Sequence, residues 1–255
     1  MQYNLVKIVK LTYYEGTHTA EYIWADFATN STIANLRNEF NADLCFLVFN
    51  SSSYTGYAKI PPNDDPNSST SNIGFAVGNI SKVKKIFTLA HETGHNFGAH
   101  HDVDHDPGAY YNNGYIAPKN AWGTIMSYVV DPENKRLNIW SNPNKNHNGI
   151  PTGNTNANND QWLNEQKQDI ANYRKPLLPG ILTYSQILVG RTYQLTGNVY
   201  IPSSKYLKIT SSAKLNLTDY YVKSTGGTII VENGVTNYFV KLKSGSTIKA
   251  LYTTV

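Results

Sequence analysis

Three histidines and one glutamate, spaced as H-E-x-x-H-x-x-G-x-x-H, lie in a single short segment of the chain. Helical residues four positions apart share one face, so His91 and His95 can direct their imidazoles at the same ion. Gly98 suits the left-handed conformation that ends helices, and the resulting turn would bring His101 back as a third ligand. Three neutral imidazoles leave the fourth position of a tetrahedral zinc open for water. The spacing therefore predicts one catalytic Zn²⁺ ion, held by His91, His95 and His101.

Glu92 is the second member of this segment. It lies about 100° around the helix from His91, close enough to act on a water beside the metal without binding the metal itself. A carboxylate in that place can remove a proton from the attacking water and later give it to the leaving amine. Glu92 is therefore the predicted catalytic base.

The same segment resembles the zinc-binding signature of the reprolysin (ADAM, adamalysin) branch of the metzincins. Asn96, Phe97 and Gly98 precede the third histidine and Asp102 follows it, as in that branch. Met126, one of only two methionines, stands where metzincins carry the methionine turn beneath the zinc. The single cysteine rules out the disulfides that brace animal ADAM proteases. The chain is thus identified as a member of bacterial type.

This resemblance implies further roles. Asp102 is expected to steady the turn below the helix rather than bind metal. Tyr128, two residues after Met126, is a feature of the astacin and serralysin branches, where such a tyrosine can bind zinc and steady the transition state. An ordinary packing role for Tyr128 is an open alternative. The edge strand that pairs with substrate is expected at Ile73, Gly74, Phe75, Ala76 and Val77.

Periodicity predicts the elements around the site. Alternating or continuous apolar runs indicate two strands, and apolar residues at helical spacing indicate three helices. The predicted strands are 5–14 and 43–50, and the predicted helices run from Ile33 to Phe40, from Lys82 to Gly98 and from Trp162 to Tyr173. With the resemblance, this gives an α+β class: a metzincin catalytic domain with a twisted mixed sheet and an active-site helix.

Beyond Pro179, short strands rich in Val, Ile, Thr and Tyr replace the helical period. They indicate a small all-β accessory domain, so the predicted division is 1–176 and 177–255. The predicted strands of this part are 187–189, 193–195, 206–209, 228–231 and 238–242.

Composition narrows the partners and the setting. The net charge is +4, and no basic cluster interleaved with aromatics suggests nucleic acid. No apolar run approaches the ~18 residues of a membrane span, and we assume a monomer. The polar composition, rich in Tyr, fits a secreted protein, in which case a signal peptide and any pro-segment would be absent from this chain. Asp104, His105 and Asp106 could bind Ca²⁺ or form a solvated loop, and His100 is expected to be exposed.

The sequence predicts a zinc endopeptidase that cleaves protein or peptide substrates. A binding or adhesion module, with the C-terminal strands mediating attachment to carbohydrate, protein or a surface, is the alternative. A degenerate site of that kind would usually lose the base or a ligand, whereas all of them are present here. A non-peptidase zinc hydrolase fits the two histidines and the glutamate, but it explains neither His101 nor Met126.

Overall fold

The computed structural model describes residues 5–12, 18–50, 55–66, 73–171, 173–174, 180–182, 185–189, 192–195, 197–211, 213–216, 220–232 and 247–251. Its internal contacts divide the chain into two compact units. The first holds Thr12–Asn30 and Asp43–Tyr173, and the second holds Gln2–Leu11, Ser31–Ala42 and Arg174–Val255. None of the described helices combines the length and apolarity that crossing a membrane requires.

The helices and strands are numbered along the chain. The elements as far as the helix with His91 and His95 are α1 Ala20–Thr29, α2 Ser31–Glu39, β1 Cys45–Phe49, β2 Gly56–Ala58, β3 Phe75–Asn79, α3 Ile80–Val83 and α4 Thr88–Asn96. Those that follow as far as the end of the first unit are β4 His100–Asp102, β5 Asn113–Gly114, α5 Pro132–Lys135, β6 Asn146–His147, β7 Ile150–Pro151 and α6 Asn159–Ile170.

Helix α4, which carries the predicted ligands His91 and His95, packs against a three-stranded sheet. The strand order is β1-β3-β2, with β1 parallel and β2 antiparallel to β3. The sheet is therefore mixed, which agrees with the predicted α+β class. Helix α1 lies against it, burying Ile23 and Phe27, and the indole N–H of Trp24 donates to the carbonyl oxygen of Phe75 at 2.8 Å.

The predicted edge strand is wrong. Phe75, Ala76 and Val77 belong to β3, which is hydrogen-bonded on both sides and buried, while Ile73 and Gly74 precede it. An apolar run marks a buried strand but does not say whether the strand lies in the centre or at the edge of a sheet. Within the described residues the edge beside the active-site helix is β2, a short strand with no apolar run to reveal it.

Two other predicted elements differ from the structure. The single helix from Lys82 to Gly98 is interrupted, because Phe87 has a left-handed backbone (φ 58°) that a right-handed helix cannot continue through. The strand predicted at 5–14 is absent over 5–12, and its last two residues lie outside the described part of the chain. Leu5 and Ile8 are largely exposed, so the alternation there does not face a core. Helices α2 and α6 and strand β1 confirm their predictions, whereas α1 was not predicted.

A buried cluster joins the end of α4 to the segments that follow it. Phe97, Ala99, Ile125, Met126 and Leu163 pack together with Ile170 of α6. The indole N–H of Trp162 also donates to the carbonyl oxygen of Phe97 at 2.7 Å. This cluster packs Ile125 and Met126, from the long segment between β4 and α6, against the end of α4 and against α6.

The second unit contains α2 and a stack of short strands. The strands are β8 Gly180–Ile181, β9 Gln186–Leu188, β10 Thr192–Gln194, β11 Val199–Pro202, β12 Tyr206–Ile209, β13 Lys214–Asn216, β14 Val222–Thr225, β15 Thr228–Glu232 and β16 Thr247–Leu251. Every pairing between them is parallel.

Parallel partners in this unit lie about twenty residues apart in the sequence: Val199 pairs with Val222, and Leu207 pairs with Gln186 and Ile229. The chain thus returns to the same position at each turn of a stack of coils, the arrangement of a solenoid. Inward residues of successive turns form the core, among them Leu188, Ile201 and Ile209. The strand predicted at 238–242 lies outside the described residues, and the division into domains 1–176 and 177–255 stays a prediction.

Candidate active site

Helix α4 carries His91, Glu92 and His95, and all three side chains are buried. The helix is fastened to the sheet side of the unit by Asn96. The Asn96 amide donates to the carbonyl oxygens of Ile73 at 2.7 Å and Lys59 at 3.1 Å. Because both acceptors belong to segments that run into or out of the strands, the helix cannot slide along the sheet without losing these bonds.

Gly98 allows the sharp exit from α4. Its φ is +82°, and a Cβ there would stand 2.2 Å from the backbone oxygen of Asp64. The amide of Gly98 donates to His95 and that of Ala99 to Gly94, which closes the last turn of the helix. Only glycine fits this position, both for its backbone angle and for lack of space. The chain then enters β4, which carries His101.

The three predicted ligands converge through their Nε2 atoms. The Nε2 of His101 lies 3.2 Å from the Nε2 of His91 and 3.2 Å from that of His95. The Nδ1 atoms of His91 and His95 lie 2.7 Å and 2.8 Å from the backbone carbonyl oxygens of Ile125 and Ala99. A carbonyl can only accept, so each Nδ1 carries the proton and each Nε2 is left with a free lone pair.

The electrostatic environment favours the neutral, metal-binding form of these rings. Burial lowers the pKa of His95 to about 3 and that of His101 to about 4, and it holds the pKa of His91 well below its ordinary value. Three imidazole nitrogens, all within 4.8 Å of one another, fit the donor set and open coordination of zinc. Among the described residues this is the one set of three or more His, Cys, Asp or Glu side chains close enough to share an ion.

His100 is not exposed as expected. Its side chain is only 14% exposed because carboxylates hold both ring nitrogens: Nε2 lies 2.7 Å from Asp64 Oδ1 and Nδ1 lies 3.0 Å from Asp106 Oδ2. The same Asp106 oxygen is 3.4 Å from Nδ1 of His101. A chain of polar groups therefore runs from Asp64 through His100 and Asp106 to the third ligand. Sequence reasoning missed it because Asp64 is 36 residues from His100.

The last residue of β4, Asp102, connects to the turn beneath the site. Asp102 Oδ2 accepts from the backbone amide of Tyr128 at 2.8 Å, and Oδ1 lies 2.6 Å from Nδ1 of His105. Met126 is fully buried, and a Cβ on Gly94 would stand 2.8 Å from its sulfur, so the methionine lies directly below the helix. With His105 and Asp106 engaged in these pairs, a calcium site at Asp104, His105 and Asp106 stays a prediction.

The ring of Tyr128 stacks on the ring of His101, with centroids 4.0 Å apart and planes inclined by 30°. The side chain is 48% exposed. Burial and the nearby Glu92 carboxylate raise its pKa, so its hydroxyl stays protonated and available as a donor. The tyrosine is therefore at the site, in a place that suits both the packing and the catalytic alternative.

Glu92 is enclosed by β2. A Cβ on Gly56 would stand 2.5 Å from its Oε1, so the carboxylate lies against the bare backbone of the edge strand. Burial raises the pKa of Glu92 to about 8, and the positive charge of Arg136 opposes the rise. The environment of this carboxylate thus combines the helix, the edge strand and the charge of a residue from a distant segment.

These groups surround one cavity of about 570 Å³, the active-site cavity. Its lining combines the metal-binding face with β2 and with the segment after Met126. The lining residues are Thr55, Gly56, Tyr57, Ala58, Ile60, Ile86, Thr88, His91, Glu92, His95, His101, Asp106, Tyr128, Val129, Pro132 and Arg136. Gly56 and Arg136 were not predicted, and Asp106 was considered only as a possible calcium ligand. No motif marks them, because each reaches the cavity through the fold and not through spacing along the chain.

Known proteins with similar sequences are bacterial peptidases. The chain is 37% identical over 147 residues to a peptidyl-Asp metalloendopeptidase of Xanthomonas campestris pv. campestris, a match covering 56% of this chain and 34% of that protein. It is 35% identical over 150 residues to a protein of the same name from Stenotrophomonas maltophilia, with 56% and 34% covered. The chain thus spans about a third of the length of these curated relatives.

Among solved structures, a chain in the structure of a chaperone-substrate complex matches with a TM-score of 0.48 and 18% identity, over 62% of this chain and 26% of that one. That similarity is too low to inform fold or function.

The matched family model covers the histidine segment, β1 to β5 and the turn with Met126. It is Reprolysin_5, described as metallo-peptidase family M12, and it matches residues 4–141. That range is more than half of the chain and contains every ligand candidate. The protein belongs to metallopeptidase family M12.

Proposed function

We propose that this protein is a zinc-dependent endopeptidase of the metzincin type. The observation that carries the proposal is the convergence of three Nε2 atoms beside a buried carboxylate in one open cavity. Membership of a metallopeptidase family and similarity to metalloendopeptidases support the same activity. His91, His95 and His101 would hold the ion.

A zinc ion bound there supplies a Lewis acid that polarises the scissile carbonyl and makes a nearby water more acidic. Glu92 takes the proton of the attacking water and then passes it to the leaving nitrogen. The pKa of Glu92, raised by burial, would fall beside a dication, which makes the carboxylate form available as a base. The hydroxyl of Tyr128, at the cavity rim, donates to the oxygen that gains negative charge.

The substrate would bind as an extended segment along β2. Gly56, Tyr57 and Ala58 line the cavity, and among the described residues β2 pairs on one side only, with β3. The free edge of a strand can bind an extended peptide through main-chain hydrogen bonds. Such pairing would carry the scissile bond past Glu92, since Gly56 touches that carboxylate.

The relatives are named for cleavage at aspartyl residues, which supports a preference for bonds next to Asp in this chain as well. Secretion fits a protease of this kind. The binding-module alternative is not favoured, because the cavity retains all three imidazoles and the carboxylate and the relatives are peptidases.

The proposal is tested by incubating the full chain, loaded with zinc, with a diverse peptide library and identifying the products by mass spectrometry. Cleavage inside the peptides that stops with 1,10-phenanthroline and returns with added zinc is the expected result. Intact peptides after incubation with protein that has bound zinc would overturn the proposal.

A further inference from the structure

The active-site cavity contains one side chain that is always charged and has no role in the chemistry described so far, Arg136. Of the described residues that line the cavity, it is the single Lys or Arg. Its backbone bridges to Gly123, on the strand-like segment that leads into the Met126 turn. The backbone of this lining residue is therefore fixed by the fold.

Two carbonyl groups fix the guanidinium. Nη1 donates to the backbone oxygen of Ile86 at 3.2 Å, and Nη2 donates to that of Ser127 at 2.5 Å. Ile86 immediately precedes the turn into α4, and Ser127 immediately follows Met126. The charged group thus lies between the start of the helix that carries Glu92 and the turn beneath the metal ligands.

The two hydrogen bonds to backbone carbonyls do not neutralise the positive charge of the Arg136 guanidinium. A guanidinium has more N–H donors than the two used here, and its Nε is buried without a hydrogen-bond partner. Across the described residues no carboxylate lies within ion-pair distance of Arg136. Glu92 is the acidic group that interacts with it most strongly, through space. Arg136 is partly buried, and a cation in such a place with an unpaired buried donor costs free energy unless an anion pairs with it.

We propose that Arg136 is the specificity-determining residue of this site, binding an acidic substrate side chain that enters the cavity. The proposal rests on the proposed endopeptidase function. A carboxylate suits the position because its two oxygens match the planar fork of a guanidinium. Ile86, Val129 and Pro132 add apolar side chains to the lining of the same cavity.

The acidic residue is the one that contributes the leaving nitrogen. Glu92 gives its proton to that nitrogen, so the nitrogen must come within hydrogen-bond reach of Glu92. Arg136 lines the same cavity as Glu92, and its guanidinium is bonded to the carbonyl oxygen of Ile86, at the approach to the helix that carries Glu92. We therefore assign the guanidinium to the side chain of the residue after the cut, so that the new product begins with Asp or Glu.

The test compares matched peptides that differ only at the residue after the cut, Asp, Asn or Leu, with wild-type protein and with Arg136→Met and Arg136→Lys. Wild type is expected to prefer Asp over Asn and Leu in kcat/KM. Arg136→Met should reduce the Asp-to-Leu ratio about 100-fold, mainly through KM, while Arg136→Lys restores part of it. Since Arg136 also acts on Glu92, a general loss of rate would affect all three peptides equally and leave the ratio unchanged.

A binding measurement separates recognition from turnover. On a Glu92→Gln background, the affinity for the Asp peptide should fall with Arg136→Met while the affinity for the Leu peptide stays unchanged. Equal cleavage of all three peptides by wild type, or an undiminished Asp preference in Arg136→Met, would overturn the role of Arg136 and leave the endopeptidase function standing. Failure of wild type to cleave any of the three, together with the whole library, would instead overturn the proposed function.

Discussion

The metal-binding segment and the opposite wall of the cavity are built in different ways. The segment from His91 to Asp102 supplies the three proposed ligands and the proposed base from one helix end and one short strand. The wall is assembled from β2, Ile86 and the residues between Tyr128 and Arg136, which are far apart in sequence. The chemistry is therefore encoded locally, whereas the shape and charge that meet the substrate depend on the whole first unit.

The largest effect should come from the local segment. Glu92→Gln removes the base and keeps the shape, so kcat should fall about 10³-fold while the zinc content, measured by elemental analysis, stays at one ion per chain. Glu165→Gln, on an exposed face of α6, is the matched control and should leave kcat unchanged. Substantial turnover by Glu92→Gln would move the role of base to another group.

Gly56→Ala tests whether the wall acts on the chemistry. The added Cβ would stand 2.5 Å from Glu92 Oε1 and 2.8 Å from the Thr88 methyl, so the carboxylate must shift. A displaced base should lower kcat about 100-fold with zinc still bound. Gly149→Ala is the control: nothing lies within 4 Å of its added Cβ, but φ is +79°. It should cost about 1 kcal/mol in the free energy of unfolding and leave kcat unchanged.

Asp106→Asn tests the polar chain that extends the metal site beyond its local segment. Loss of the carboxylate beside His101 Nδ1 should weaken zinc affinity about 10- to 100-fold, measured by competition with a chelating dye. Asp104→Asn, in the exposed part of the same loop, provides the comparison. If both variants bind zinc as wild type does, the chain from Asp64 to His101 contributes only to folding.

Tyr128→Phe should give the smallest effect. The variant keeps the ring that stacks on His101 and removes only the hydroxyl. Loss of an oxyanion donor from this half-exposed position should lower kcat about tenfold at unchanged KM. Unchanged turnover would leave packing as the role of this tyrosine.

The sequence predicted correctly those features of the site that are encoded by residues close together in the chain. The ligand set, Glu92 and the glycine turn follow from spacings along one helix, because a helix converts spacing into direction. The interruption of the helix at Phe87 was missed because the helical spacing of apolar residues continues across Phe87, although its backbone is left-handed. The edge strand was misplaced because β2 is a short segment, Gly-Tyr-Ala, without the apolar run of β3.

The sequence by itself determined that three imidazoles and a carboxylate meet at one end of a helix. Only the tertiary structure decided that Asp64 contacts His100, that Gly56 lies against Glu92 and that Arg136 lines the cavity. The physical reason is that hydrogen bonds to backbone carbonyls and close contacts between strands join residues with no fixed separation along the chain, so no pattern in the sequence records them.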